Sequence, residues 1–233
     1  MNYQLEIVAV DCLMLRLFQR IEEDNMRWIL AADQRLRAVF GAQLIDLVPS
    51  YTTLLVHYDV RQLTDQQARI LIAQALQQLE PASGQQGREH QLPVWYDTSV
   101  GPDLQALAQA RGHSVAEVIK LHSEHEYQVF ALGFAPGFAF MGLVAEALAS
   151  PRLATPRQQV PATSLGIAER QTAVYPLRSP GGWNLLGRMP LALFDSSAGC
   201  SLLQPGDRVR FCPVERDEFV RLGGDDQPFV ERP

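Results

Sequence analysis

Residues 157–188 read RQQVPATSLGIAERQTAVYPLRSPGGWNLLGR, and this stretch decides the fold of the C-terminal half. Leu165–Ile167, Thr172–Tyr175 and Leu185–Leu186 are short apolar runs, and turn residues such as Ser179-Pro-Gly-Gly182 separate them. Runs of this length suit strands better than helices. The same pattern extends outward to Tyr127–Leu132 on one side and to Leu191–Phe194, Leu202–Leu203 and Val209–Phe211 on the other. Many short strands with Gly/Pro turns predict a closed or nearly closed β-barrel. Pro205-Gly206 is expected to join Ser201–Gln204 to Asp207–Cys212 as a hairpin.

Upstream the pattern changes. Tyr3–Val10 alternates as a strand, with Cys12–Phe18 able to pair with it. Asn25–Phe40 carries apolar residues at helical spacing, with Asp24 as candidate N-cap and Gly41 as stop. Short strands follow at Gln43–Val48 and Thr52–Tyr58. Thr64 and Gln67 then form a capping-box pattern opening a second helix through Leu79. This order predicts a small α+β unit of ferredoxin-like type. Pro81–Gly87 is small and polar, a linker candidate. The expected organisation is therefore α+β: a ferredoxin-like domain over residues 1–85 and a mainly β domain over 86–233. Within the second, a strand is expected at His90–Tyr96. Two short helices follow, Asp103–Arg111 ending at Gly112 and Val115–His122 capped by Ser114 and Glu117.

The chain has 233 residues and a net charge of -6, which argues against a nucleic-acid partner because no basic stripe offsets phosphate repulsion. Three cysteines without paired spacing suit a reducing compartment and predict no disulfide framework; without a CxxC or CxxH pair, no metal site is expected. The start, MNYQLEIVAVD, lacks the basic region of a signal peptide, and no apolar run is long enough to span a bilayer. A cytoplasmic protein without membrane contact is expected.

Four segments could carry chemistry. Leu121–Tyr127, LHSEHEY, places His122 and Glu126 on one helical face if the helix runs that far, a pair suited to proton transfer. The same residues also suit a polar helix end. Gly133–Phe138, GFAPGF, is a tight turn flanked by aromatics, either core or a platform for a flat ligand. Arg152 and Arg157, five apart beside prolines, could present guanidinium groups to a carboxylate or phosphate, or stand solvated. In Ser179–Trp183, SPGGW, successive glycines let backbone N–H groups converge on an anion, though a purely structural turn fits equally and the spacing is not that of a Walker A loop.

Taken in order, LHSEHEYQVFALGFAPGFAFMG, LATPRQQVPATSLGIAERQTAVYPLRSPGGWNLLGR and LLQPGDRVRF closely resemble the allophanate-hydrolase-subunit-1 or KipI family over roughly residues 90–213. That family includes the B subunit of bacterial 5-oxoprolinase and part of the carboxyltransferase region of urea carboxylase. The resemblance implies a cyclophilin-like β-barrel for the second domain. It also implies partnership with a C-type subunit, of the allophanate-hydrolase-subunit-2 type, and with an A-type subunit. Together these would use ATP, with Mg2+, at the assembled complex to activate 5-oxoproline and open it to glutamate. Two other functions fit the same family: a KipI-like regulator inhibiting a sensor histidine kinase, and a urea-carboxylase-like carboxyltransferase half receiving biotin from another chain.

Carried over by motif, His122, Glu126 and Arg157 are the candidate catalytic residues. Phe134, Pro136, Gly137, Pro161, Gln171, Tyr175, Gly181, Gly182 and Trp183 are the candidate substrate-binding residues. Three positions depart from the family pattern: Phe140 stands where a tyrosine is usual, and Thr163 and Ala173 where glycines are usual.

Overall fold

The computed structural model describes residues 2–83 and 87–230, and the chain divides into two compact units, 1–86 and 87–233. The expected linker at 81–87 falls at this division; its central residues 84–86 lie outside the described residues.

The first unit runs β1 (Gln4–Ala9), β2 (Cys12–Arg16), α1 (Asn25–Phe40), β3 (Leu44–Pro49), β4 (Thr53–Tyr58) and α2 (Asp65–Leu76). Its sheet is antiparallel in the order β1-β2-β4-β3. Period-2 alternation buries Leu13, Leu15, Leu54 and Val56 on one face. The buried stripe of α1, with Met26, Ile29, Ala32 and Leu36, packs on β3, β4 and α2. The box opening α2 is present: Thr64 Oγ1 accepts from the Gln67 N–H at 3.3 Å while the Gln67 side chain accepts from the Thr64 N–H at 2.9 Å. Asp24 precedes α1 but makes no capping hydrogen bond, because its own backbone is already helical at φ -66°.

The second unit begins with β5 (Glu89–Val94), α3 (Leu104–Arg111), α4 (Val115–Ser123), β6 (Glu126–Leu132) and β7 (Ala139–Gly142). It continues through β8 (Arg157–Val160), β9 (Ser164–Ala168), β10 (Gln171–Val174), β11 (Ser179–Gly181) and β12 (Asn184–Arg188). It ends with β13 (Phe194–Asp195), β14 (Cys200–Ser201), β15 (Arg208–Pro213) and α5 (Arg216–Arg221). Seven strands form one sheet in the order β12-β9-β10-β7-β6-β15-β5. The sheet curls until its edges meet, where Trp95, just past β5, exchanges both backbone hydrogen bonds with Arg188 of β12 at 2.9 Å.

One expected pairing is corrected. Pro205-Gly206 does not close a hairpin between its flanking segments. β14 pairs with β13, while β15 inserts between β6 and β5, parallel to the latter. The buried Asp207 carboxylate fixes this path by accepting from the Gln204 and Arg88 N–H groups at 2.9 and 2.8 Å and contacting His90 Nε2 at 3.0 Å.

Candidate functional site

Strand β10 separates two environments through its own alternation. Thr172 and Val174 face the main core with α3 and α4; Ala173 and, just beyond the strand, Tyr175 face an aromatic cluster. Phe138 is the hub of that cluster. Its ring meets those of Tyr175 at 5.4 Å and Trp183 at 5.6 Å, both edge-on, and that of Phe140 at 4.8 Å. Phe138 and Phe140 share a face because they are two residues apart, Phe140 on β7 and Phe138 just before it. A cavity of about 100 Å³ opens onto these rings and is lined also by Phe134, Arg152, Pro180, Gly181 and Gly182. Arg152 lies 6.0 Å above the Trp183 ring and, among the described residues, is the only charged side chain lining the cavity.

Phe134 marks the rim. Its φ is +69°, a left-handed conformation costly for a non-glycine residue, yet the residue is 65% exposed, with its ring edge-on to Phe138 at 5.1 Å. This strained backbone holds a largely exposed aromatic residue at the mouth of the cavity, edge-on to Phe138 and Tyr175.

Of the expected binding residues, Phe134, Tyr175, Gly181, Gly182 and Trp183 line this pocket. Pro136 and Gly137 lie in the adjoining open groove around Leu132–Gly137 and Ser201. Pro161 borders a separate cavity with Arg178 and Arg188, and Gln171 is tied into β10 opposite Gly142 and Ala168. Among the rest of the lining, Phe138 and Phe140 could have been found from their period-2 spacing with Phe134, and Arg152 from its proline-flanked loop.

The three expected catalytic residues are not in it. The His122 ring is fully buried on the opposite face of β10, stacked on Phe211 at 5.0 Å. Thr172 Oγ1 donates to the Gly166 carbonyl, so Nε2 donates to Thr172 at 3.0 Å and Nδ1 accepts from the Tyr96 hydroxyl at 2.8 Å. This is a satisfied neutral imidazole. Burial first, and the charge of His125 second, push its pKa down to about 3. Glu126 does not share a helical face with it, because α4 ends at Ser123 and Glu126 opens β6. The exposed Glu126 carboxylate faces Arg208 and Arg210 at 3.7 and 3.8 Å. Arg157 pairs with Asp103 at 2.7 Å, its side chain only 8% exposed and its guanidinium over the Phe229 ring.

The curled sheet flanked by helices is shared with carboxyltransferase-type folds. The chain superposes on the urea carboxylase of Kluyveromyces lactis with a TM-score of 0.75 over 94% of this chain and 22% of that one; at 12% identity this shows the fold alone. The family model for the carboxyltransferase domain, subdomain C and D, matches residues 3–203, and the chain belongs to that family. It is 33% identical over 229 residues to the B subunit of 5-oxoprolinase from Bacillus subtilis, covering 94% of this chain and 95% of that protein. The 5-oxoprolinase B subunit from Escherichia coli O157:H7 is 49% identical over 136 residues, 58% of this chain and 61% of that one. A solved structure, TTHA0988, aligns with TM-score 0.78 at 37% identity over 93% of this chain, which spans 41% of that longer chain. Among the described residues no helix is long and apolar enough to cross a membrane.

Proposed function

We propose that this chain is the B subunit of an ATP-dependent 5-oxoprolinase that works in the cytoplasm with a C-type and an A-type subunit to open 5-oxoproline to glutamate. The observation that carries this reading is the match to the Bacillus subtilis protein, which leaves little of either chain unaligned. The pocket agrees with it in size and chemistry. A small ring can lie against Phe138 and Trp183, its apolar edge removed from water, while Arg152 pairs with the carboxylate. Arg152 is held on a proline-flanked loop, and its stacking on Trp183 limits the freedom lost on binding. We further read the first unit as ferredoxin-like and the second as cyclophilin-like.

ATP does not fit this pocket. Ligand clefts of drug size occupy roughly 300–1,000 Å³, against about 100 Å³ here, and among the described residues no carboxylate lines it to hold magnesium. We propose that the nucleotide binds at the assembled complex rather than in this pocket. What this chain contributes is to bind, orient and dehydrate the lactam.

Co-expression with the C-type and A-type subunits should give glutamate release dependent on both ATP and 5-oxoproline. Arg152→Ala should raise KM for 5-oxoproline at least about tenfold, the loss of a carboxylate clamp, with a smaller change in kcat. A reconstituted complex that releases no glutamate would defeat the subunit assignment. An unchanged KM in the variant would defeat the role of this pocket.

A further inference from the structure

The first unit holds a set of donors that its sheet brings together and the pocket chemistry does not use. Cys12 opens β2 and is the direct cross-strand partner of His57 on β4. Asp11 closes the hairpin turn just before Cys12, and its Oδ2 lies 3.1 Å from His57 Nε2. One ligand atom from each residue, a thiol sulfur, an imidazole nitrogen and a carboxylate oxygen, falls within 4.8 Å of the other two. We propose that Asp11, Cys12 and His57 form a divalent-metal site suited to zinc, with one coordination position open.

Zinc accepts mixed N, O and S donors in tetrahedral geometry, and three protein ligands leave a fourth position for water or another donor. Its bond lengths place donor atoms about 3.3–3.6 Å apart. The Asp11–His57 pair is already near that separation, and the sulfur, within 4.8 Å of both partners, has at most about 1.5 Å to close. The backbone that carries these groups is fixed. The Tyr58 N–H donates to the Asp11 carbonyl at 3.0 Å, and the hydroxyl of the buried Tyr58 donates to the Val10 carbonyl at 3.3 Å.

Charge also balances. An Asp carboxylate and a Cys thiolate together offset the two positive charges of the ion. On binding, the Cys12 thiol proton passes to solvent, and the His57 Nε2 proton that Asp11 accepts in the metal-free chain also leaves to solvent while Nδ1 takes one up, so that the sulfur, the imidazole nitrogen and the Asp11 oxygen each give a lone pair to the metal. The three half-buried side chains leave an entry path from solvent. No local CxxC or HxxxH spacing announces such a site, because its ligands come from a turn and from a strand more than forty residues away.

The test uses the full chain, stripped with a chelator and titrated with Co2+. The expected result is one equivalent bound with a thiolate-to-cobalt charge-transfer band and the intense visible bands of a tetrahedral site, displaced by one equivalent of Zn2+. Cys12→Ser should abolish the charge-transfer band, and His57→Ala should weaken binding at least about tenfold. The Cys200→Ser/Cys212→Ser double variant should keep the band. Zinc should also slow alkylation of Cys12 in the unmodified chain at least about tenfold, since a coordinated thiolate is shielded, and this readout needs no variant. Absence of one-to-one uptake, equal uptake by Cys12→Ser, or unchanged Cys12 alkylation would overturn the site and leave Asp11–His57 as a pair that merely closes the turn.

Discussion

Arg157 and Asp103 form an ion pair at 2.7 Å with both side chains largely removed from solvent, and the second Asp103 oxygen accepts the backbone N–H of Leu185 at 2.7 Å. The pair therefore braces the start of α3 against β8 and β12. Removing one partner leaves a buried carboxylate without its cation, which costs about 3 kcal/mol or more. Arg157→Ala is expected to lower the urea midpoint accordingly, and Arg157→Lys to recover only part, because one ammonium replaces a guanidinium fork. A variant with an unchanged midpoint and lost turnover would return Arg157 to the active machinery.

Thr163 sits at φ +62°, its N–H donating to the Tyr175 carbonyl at 2.6 Å and its carbonyl accepting from Met189 at 2.9 Å. Both bonds hold it in a left-handed conformation that costs a β-branched residue about 1–2 kcal/mol. Glycine relieves that strain but gains freedom in the unfolded chain. Thr163→Gly should therefore stabilise the protein by about 0.5–1 kcal/mol in urea unfolding. Destabilisation would show that the threonine side chain contributes packing larger than the strain.

Local signals in the sequence translate directly into structure. The capping boxes at Thr64–Gln67 and Ser114–Glu117 both form, and the runs at Leu165–Ile167 and Thr172–Tyr175 fall on paired strands, with Tyr175 just past the end of its own. These features depend on residues a few positions apart. Sidedness is less legible. Motif order groups His122 with Tyr175, but Thr172 and Ala173 show how adjacent residues on a strand serve opposite faces. Arg157 reads as a ligand clamp for a related reason: Asp103, its partner, lies 54 residues away and gives no local sign. The strand after Pro205-Gly206 is legible from its apolar run, but its partner is not, since a turn dipeptide does not reveal that a parallel neighbour, β5, captures it.

Gly181 and Gly182 are not equivalent. A Cβ built on Gly181 would lie 2.3 Å from the Tyr175 hydroxyl oxygen, whereas one on Gly182 would meet Pro156 at an ordinary 3.6 Å. Gly181→Ala must push Tyr175 out of the pocket wall; Gly182→Ala need move nothing. The expected result for Gly181→Ala is altered near-ultraviolet circular dichroism of the aromatic cluster and a KM for 5-oxoproline raised at least about tenfold, in line with the overpacking strain of a filled contact. Gly182→Ala should match the parent in both. Equal behaviour of the two variants would mean that the Tyr175 ring is not part of the binding wall.

His122 supplies a pH test that separates a core imidazole from a proton shuttle. Its pKa falls from an ordinary value near 6.5 to about 3 on folding, so between these pH values the unfolded chain binds a proton that the folded chain refuses. Stability from this group is fully present above pH of about 6.5 and declines as pH falls toward about 3, by at most about 1.4 kcal/mol per pH unit. His122→Gln removes the titration while its amide can still reach Thr172 or Tyr96. The expected outcome is a lower stability at neutral pH with a flatter acid limb in urea unfolding, and a kcat profile against pH in the reconstituted complex that keeps the shape of the parent. A variant whose kcat loses an acid limb present in the parent would place the imidazole on the proton path instead.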